Sequence, residues 1–338
     1  MLPETSRILV TGGAGFIGSH LAIRLLRDGL RVAILDDLST GSRANLAACR
    51  RAGLRDRDVL PHDITDVSAI AAITAWHPHV IVHLAAQARV TRSAEDIAHD
   101  AATNIMGTIH VLEATRAADV ERIVLASSGG TVYGELPHDR SAFTETDPRT
   151  PISPYGASKN AADTYTRLYA SLHGVRSVTL TLGNIYGTRP DGRACPDVIP
   201  RTAVAMLAGL PPTVRGNGEQ TRDFVHVDDA VEAFRLACVT SLPTMTADIN
   251  IGSGTATSVN DVIDLLAVHL PDVPPRRYSP ALAYEVTRNC LDRTTAADLL
   301  GWEPTIDLPT GIARVVAELA APIQRTALPA AGMERTAV

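Results

Sequence analysis

Ile8-Leu9-Val10-Thr11-Gly12-Gly13-Ala14-Gly15-Phe16-Ile17-Gly18 is an apolar run ending in a glycine turn. The residues after it, Ser19-His20-Leu21-Ala22-Ile23-Arg24-Leu25-Leu26, carry apolar side chains at helical spacing and stop near Gly29. The order is strand, glycine turn, helix. In such a unit Gly12 permits the tight turn, Gly15 lets the backbone approach a pyrophosphate, and Gly18 lets the helix pack on the strand, with the helix N-terminus facing the anion. The spacing, G-x-x-G-x-x-G, differs by one residue from the commonest dinucleotide fingerprint. A second apolar run, Arg31-Val32-Ala33-Ile34-Leu35, ends at Asp36 and Asp37, where an acid would meet a ribose 2′-hydroxyl. A carboxylate there repels a 2′-phosphate and no arginine directly follows to accept one, so NAD is expected over NADP.

Further apolar runs alternate with helical patterns, and 7–11, 31–36, 57–60, 79–84, 122–127 and 177–182 read as strands of a doubly wound parallel α/β sheet. Ser153-Pro154 reads as an N-cap followed by proline at the first helical position, opening a helix that runs to Gly174. Tyr155 and Lys159, four residues apart, share one face of it. A free phenol titrates at about 10, so a tyrosine base working at neutral pH must be stabilised as phenolate by about 4 kcal/mol. An ammonium beside it and a positive nicotinamide ring supply a large part of that.

Composition narrows the class. The 338 residues are 45% hydrophobic, enough for one large domain or two intimate ones. No apolar run approaches the roughly eighteen residues of a membrane span, and MLPETSR leads straight into the first strand, so a cytoplasmic protein is expected. Net charge −6 and 4% aromatic residues give neither the basic footprint nor the stacking platform of a nucleic-acid binder. Cys49, Cys195, Cys238 and Cys290 are scattered, as in a reduced compartment, and His77 and His79 have no second ligand cluster, so no metal is expected.

The chain resembles the extended short-chain dehydrogenase/reductase superfamily, in its nucleotide-sugar epimerase and dehydratase branch, from residue 7 to about 320. The landmarks, in order, are TGGAGFIGSHL, LDDLSTG, HDITD, HLAAQ, TNIMGT, SSGGTVYG, PYGASK, NIYGTRP, GEQTRDFVHVDDA, NIGSG and LDRTTAADLLGW. The resemblance implies a Rossmann domain over 1–183, to which 222–262 returns. It also implies a smaller α/β substrate domain from 184–221 and 263–321, and 322–338 reads as a loose tail. NAD would be held by Gly12, Gly15, Phe16, Ile17 and Gly18 and by the stretch Asp36, Asp37, Leu38, Ser39, Thr40 and Gly41. Asp63 and Ile64 would border the adenine, and Leu84, Ala85, Ala86, Gln87, Asn104 and Ser127 would line the cofactor beside Tyr155 and Lys159. A homodimer is implied, through the Tyr155 to Leu172 helix and a 95–115 helix, with Ala161, Tyr165, Leu168 and Tyr169 as the apolar set.

The same resemblance narrows the reaction. Relatives that remove water across C5 and C6 of a sugar carry an Asp-Glu pair where this chain has Gly130 and Thr131, which argues against a dehydratase. Reversible chemistry at C4 remains, in which Tyr155 takes the 4-hydroxyl proton while hydride passes to NAD, and the 4-keto sugar turns over and is reduced on its other face. Where many relatives place a reacting serine or threonine stands Gly129, so the hydroxyl would come from Ser128, Thr131 or a water. A ketoreductase, favouring NADPH, is the alternative that Asp36 opposes, and a non-catalytic binding protein would lack the Tyr155/Lys159 pair. On the substrate side Asn184, Val198, Val214, Arg222 and Glu285 match positions that grip a UDP- or TDP-sugar, Arg222 pairing with the diphosphate unless it only bridges Asp223 or Asp228. A second phosphate arginine is absent at Leu282, for which Arg276, Arg277 or Arg288 could compensate. Asp191, where a uronic-acid site would want arginine, favours a neutral sugar.

Overall fold

Strands that are apolar on both faces need a helical layer on each side. The computed structural model describes residues 6–190, 192–193, 197–270 and 273–321 and has that arrangement. Its strands are β1 (Arg7–Thr11), β2 (Arg31–Leu35), β3 (Val59–Leu60), β4 (Val80–His83), β5 (Arg122–Ser128), β6 (Arg176–Leu182), β7 (Asn184–Tyr186), β8 (Thr213–Arg215), β9 (Thr221–His226), β10 (Thr246–Ile251), β11 (Ala256–Ser258) and β12 (Arg277–Ser279). Seven form one parallel sheet in the order β10-β6-β5-β4-β1-β2-β3. Successive β1 residues divide between two cores. Ile8 and Val10 pack with Leu21, Val82, Val124, Phe234 and Trp302, while Leu9 faces Ile73, Ile81, Leu112 and Ile123 on the other side.

The six strands read from the sequence are present, with edges moved by local bonding. Of 57–60 only Val59 and Leu60 are extended, because Asp56–Asp58 form a 3-10 turn. Asp58 is buried there and accepts from Trp76 Nε1 (2.8 Å), Arg31 (3.3 Å) and Arg55 (2.6 Å). β10 adds the seventh strand, paired in parallel with β6 from Ser177–Thr246 to Leu182–Ile251.

Beyond Leu182 the chain builds smaller layers. β9 pairs with β7 in parallel and β11 antiparallel, and β8 pairs with β12. Helices Val198–Leu207, Val259–His269 and Leu308–Ala320 close a third core around Tyr186, Ile199, Phe224, Val262, Leu266 and Ile312. The segment 222–262 serves both parts: β10 belongs to the large sheet and Phe234, on helix Val227–Val239, to the core beside it, while β11 and Val262 belong to the small layers. The tail 322–338, Asp191 and Cys195 lie outside the described residues.

Helix Pro154–His173 is as read: Ser153 Oγ accepts from Gly156 N at 3.1 Å, and Gly174 ends it in the left-handed region (φ 71). The expected 95–115 helix is not continuous. Asp96 (φ −142, ψ 80) breaks the chain after Val90–Glu95 and caps Ile97–Ala101 by accepting from His99 N, a π-helical turn spans Ala102–Met106, and Gly107–Ala117 resumes.

A buried ionic cluster ties the Pro154 helix to the sheet. Asp163, fully buried, accepts from Ser127 Oγ on β5 (2.9 Å) and pairs with Arg149, whose guanidinium also lies 3.6 Å from Asp248 on β10. Truncating one member of a buried pair leaves the other charge uncompensated. Asp163→Ala is expected to lower unfolding free energy by about 3–5 kcal/mol in urea titrations.

Candidate active site

At the carboxyl ends of β1 and β2 the backbone forms a cradle. Gly12 adopts φ +67, and a Cβ there would sit 2.7 Å from Ala85 N; one on Gly18 would sit 2.3 Å from Gly12 O. Neither position admits a side chain. Helix Phe16–Arg27 begins at Gly15 without a side-chain cap or an acid in its first turn, leaving its end to an anion. Asp36, 9% exposed, is tied to the cradle through both oxygens: Oδ2 accepts from Ala14 N (2.9 Å) and Oδ1 from Leu38 N (2.8 Å). Burial pushes its carboxyl up, and these two N–H groups pull it back down. Gly41 packs against the same carboxylate, Asp37 caps its own turn by accepting from Ser39 N (3.0 Å), and Thr40 is exposed.

The chain leaving β4 passes over this cradle. Leu84 N and Ala85 N both donate to Thr11 Oγ1 at 3.2 Å, and Ala86 follows, partly buried. Gln87 N donates to Asn104 Oδ1 (2.8 Å), and Asn104 Nδ2 donates to Gln87 O (3.0 Å) and Ser158 Oγ (3.0 Å), joining this loop to the Pro154 helix. Asp63 is exposed and accepts from Thr65 N (2.8 Å), while Ile64 is buried against Gly107.

Tyr155 meets β5 here, and Lys159 lies near His83 of β4. Ser128 hydrogen-bonds the Tyr155 phenol and so favours the phenolate, but burial outweighs it and pushes the phenol up to about 12. Lys159 is 5% exposed, and burial lowers its ammonium to about 8. Burial thus opposes ionisation of the phenol, and a positive ring bound beside it would act in the same direction as Ser128. Thr131 turns away, its hydroxyl donating to Ser128 O at 3.4 Å. A Cβ on Gly129 would lie 2.6 Å from Leu291 Cδ1, so a leucine fills the space a serine there would occupy. Ser127 spends its hydroxyl on Asp163.

The residues expected on the substrate side lie in the smaller layers and where the chain enters them. Asn184 Oδ1 is 3.4 Å from where Gly130 would carry a Cβ, so the asparagine faces the end of β5. Val198 opens helix Val198–Leu207, and Val214 is fully buried in β8, which leaves the strand's backbone for contact. Arg222 bridges Glu285 at 3.0 Å. Asp223, the pairing considered from sequence, instead accepts from Ser253, Gly254 and Leu291 N–H groups, and Asp228 lies beside His226. Arg276 is engaged by Asn260 and Asp264, and Arg288 by the carbonyl of Pro137. Of the three, Arg277, exposed on β12, is the one left facing solvent.

No group of three or more potential metal ligands occurs among the described residues. His79 Nδ1 accepts from Arg7 N (3.0 Å), and burial pushes the thiols of Cys49, Cys238 and Cys290 up to about 12.

Residues 8–252 match the NAD dependent epimerase/dehydratase family. The chain belongs to that family. It is 39% identical over 314 residues to a UDP-glucose 4-epimerase of Mycolicibacterium smegmatis, covering 92% of this chain and 97% of that one. It is also similar to the crystal structure of UDP-glucose 4-epimerase with UDP-glucose from Thermotoga maritima (TM-score 0.85, 35% identity, 92% of this chain and 98% of that). The Thermus thermophilus UDP-glucose 4-epimerase complex with NAD is as similar (TM-score 0.85, 34% identity, 94% and 99%).

Two groups were given no role in the sequence reading, His83 inside the HLAAQ landmark and Asp100 just before TNIMGT. His83, fully buried, lies between Thr11 Oγ1 (2.7 Å) and Thr108 Oγ1 (3.1 Å), and burial with nearby Lys159 lowers it to about 3, so it stays neutral. Thr108 donates to Asn104 O (2.6 Å), which leaves its oxygen to accept from Nε2–H and fixes the tautomer. Asp100 stands one turn before Asn104, a spacing visible in sequence, but nothing there shows which way the turn faces. The cradle leads to one expectation: Gly18→Ala weakens NAD binding by about tenfold or more, read by cofactor retained on purification and by fluorescence titration.

Proposed function

We propose that the protein is an NAD-dependent nucleotide-sugar 4-epimerase that inverts C4 of a UDP- or TDP-hexose through a 4-keto intermediate. The observation that supports this reading is Tyr155 beside Ser128 of β5, with buried Lys159 one turn on in the same helix, and Gly130 and Thr131 where an acid-base pair would stand. The dinucleotide fits the cradle: a tight glycine turn, an uncapped helix end and a buried acid at the second strand. NAD bound there supplies a reversible electron acceptor for C4. Tyr155 holds and returns the proton of the 4-hydroxyl, Ser128 orients that exchange from β5, and Lys159 stabilises the phenolate electrostatically. Chemistry at C5 or C6 would require a further acid and base, which these positions do not supply. Arg222, paired with Glu285 and largely enclosed, is placed to turn its guanidinium to a diphosphate, with Glu285 left to the ribose.

A cytoplasmic location and a homodimer belong to the same proposal. No helix among the described residues is long and apolar enough to cross a membrane. Tyr165, Leu168 and Leu172 remain 38%, 45% and 64% exposed along one face of the Pro154 helix, which supports a homodimer through that face. Tyr169 belongs to the inner face, its hydroxyl on Glu113.

Purified protein with no added cofactor is expected to interconvert UDP-glucose and UDP-galactose, or the TDP pair, read by chromatography of the sugar nucleotides. Tyr155→Phe abolishes this. Ser128→Ala is expected to slow turnover by about a hundredfold and Thr131→Ala by far less. Stoichiometric consumption of added NADPH without inversion would replace the epimerase by a ketoreductase.

A further inference from the structure

Asp100 is a buried carboxylate, 1% exposed, held by uncharged donors. Its Oδ1 accepts from Gln87 Nε2 at 2.8 Å and Asn104 Nδ2 at 3.1 Å. Both donors are themselves fixed. Asn104 also bonds Gln87 O and Ser158 Oγ at 3.0 Å each, and Ser158 immediately precedes Lys159. The π-helical turn Ala102–Met106 begins two residues after Asp100 and carries Asn104, a local geometry common at functional sites. A buried anion held only by neutral amides is costly unless a cation lies within electrostatic reach. Through Asn104 and Ser158, whose hydroxyl donates to Tyr155 O at 3.0 Å, the carboxylate is tied to the helical turn between Tyr155 and Lys159, close enough for its charge to favour the protonated form of both.

The other groups facing the pair are few. His83 on β4 stays neutral, Ser128 on β5 contributes a hydroxyl, and Asp197, at the start of helix Val198–Leu207, adds a second negative charge toward Tyr155. Asp197 bears on the tyrosine, whereas Asp100 bears on both partners.

We propose that Asp100 is a positioning residue whose negative charge, locked in place by Gln87 and Asn104, sets the pH window in which Tyr155 and Lys159 hold their protons. The inference rests on these two residues being the reacting pair. An anion beside two titrating groups favours the protonated form of each. With Asp100 present, Lys159 remains an ammonium and Tyr155 remains a phenol to higher pH; without it, both ionisations move down. Burial already brings the ammonium to about 8 with Asp100 in place, so the variant loses that charge within the neutral range. Well below that range the ammonium is present in both proteins, and they diverge as pH rises.

The test compares the purified holoenzyme with Asp100→Asn, Asp100→Ser and Asp100→Glu. Ultraviolet difference titration of the phenolate, with Tyr155→Phe as blank, reads the ionisation without turnover, so it decides whether or not any sugar is inverted. In the neutral variants the Tyr155 ionisation is expected to fall by about one pH unit. The alkaline limb of epimerisation, set by loss of the Lys159 ammonium, moves down as well, and Asp100→Glu stays near the wild type. An unshifted titration in a folded neutral variant, or activity lost equally at every pH, overturns the assignment. So does failure of both neutral variants to fold beside a folded Asp100→Glu, which would make the charge structural.

Discussion

Crowding at Gly12 governs the whole carboxyl edge of the sheet. Its α-carbon sits where Ala85 from the β4 exit and Gly18 from the first helix both approach, at distances that exclude even a methyl group. Because the backbone can fold back at that point, the N-terminus of helix Phe16–Arg27 is brought beside Asp36, and the two parts of the proposed dinucleotide site become neighbours.

From that point a chain of polar contacts runs inward. Thr11 holds the β4 exit and the ring of His83, His83 meets Thr108, Thr108 bonds the carbonyl of Asn104, and Asn104 reaches Ser158 on the helix that bears Tyr155 and Lys159. Each link is buried and partnered, so the chain carries a fixed geometry from the glycine cradle to the helix of Tyr155. Asp163 does the same from behind, anchoring that helix to β5 through Ser127.

The parts of this design that were legible in the sequence are those encoded locally. The glycine turn, Asp36 at the end of β2, the Ser153-Pro154 start and the Tyr155/Lys159 face all depend on neighbours within one or two helical turns. What was not legible depends on partners far along the chain. The 95–115 stretch has helical composition, but Asp96 caps a new helix within it and Asn104 is drawn to Gln87, so it breaks and passes through a π-helical turn. Leu291 above Gly129, and Glu285 rather than Asp223 as the partner of Arg222, are contacts across 162 and 63 residues that no local pattern records.

The position of β10 has a consequence for how the molecule is made. The nucleotide-binding sheet ends on a strand, Thr246–Ile251, that follows β7, β8 and β9 in the chain. A ribosome releases the first six sheet strands early, yet the open edge of β6 must wait for its neighbour while pieces of the smaller layers emerge. During that interval β6 presents unpaired backbone groups, the kind of edge that invites association with other chains. Placing the closing strand so late means that the large sheet is completed only after β7, β8, β9 and the Val198–Leu207 helix of the smaller layers have emerged, while the Val259–His269 and Leu308–Ala320 helices that close those layers are still to come.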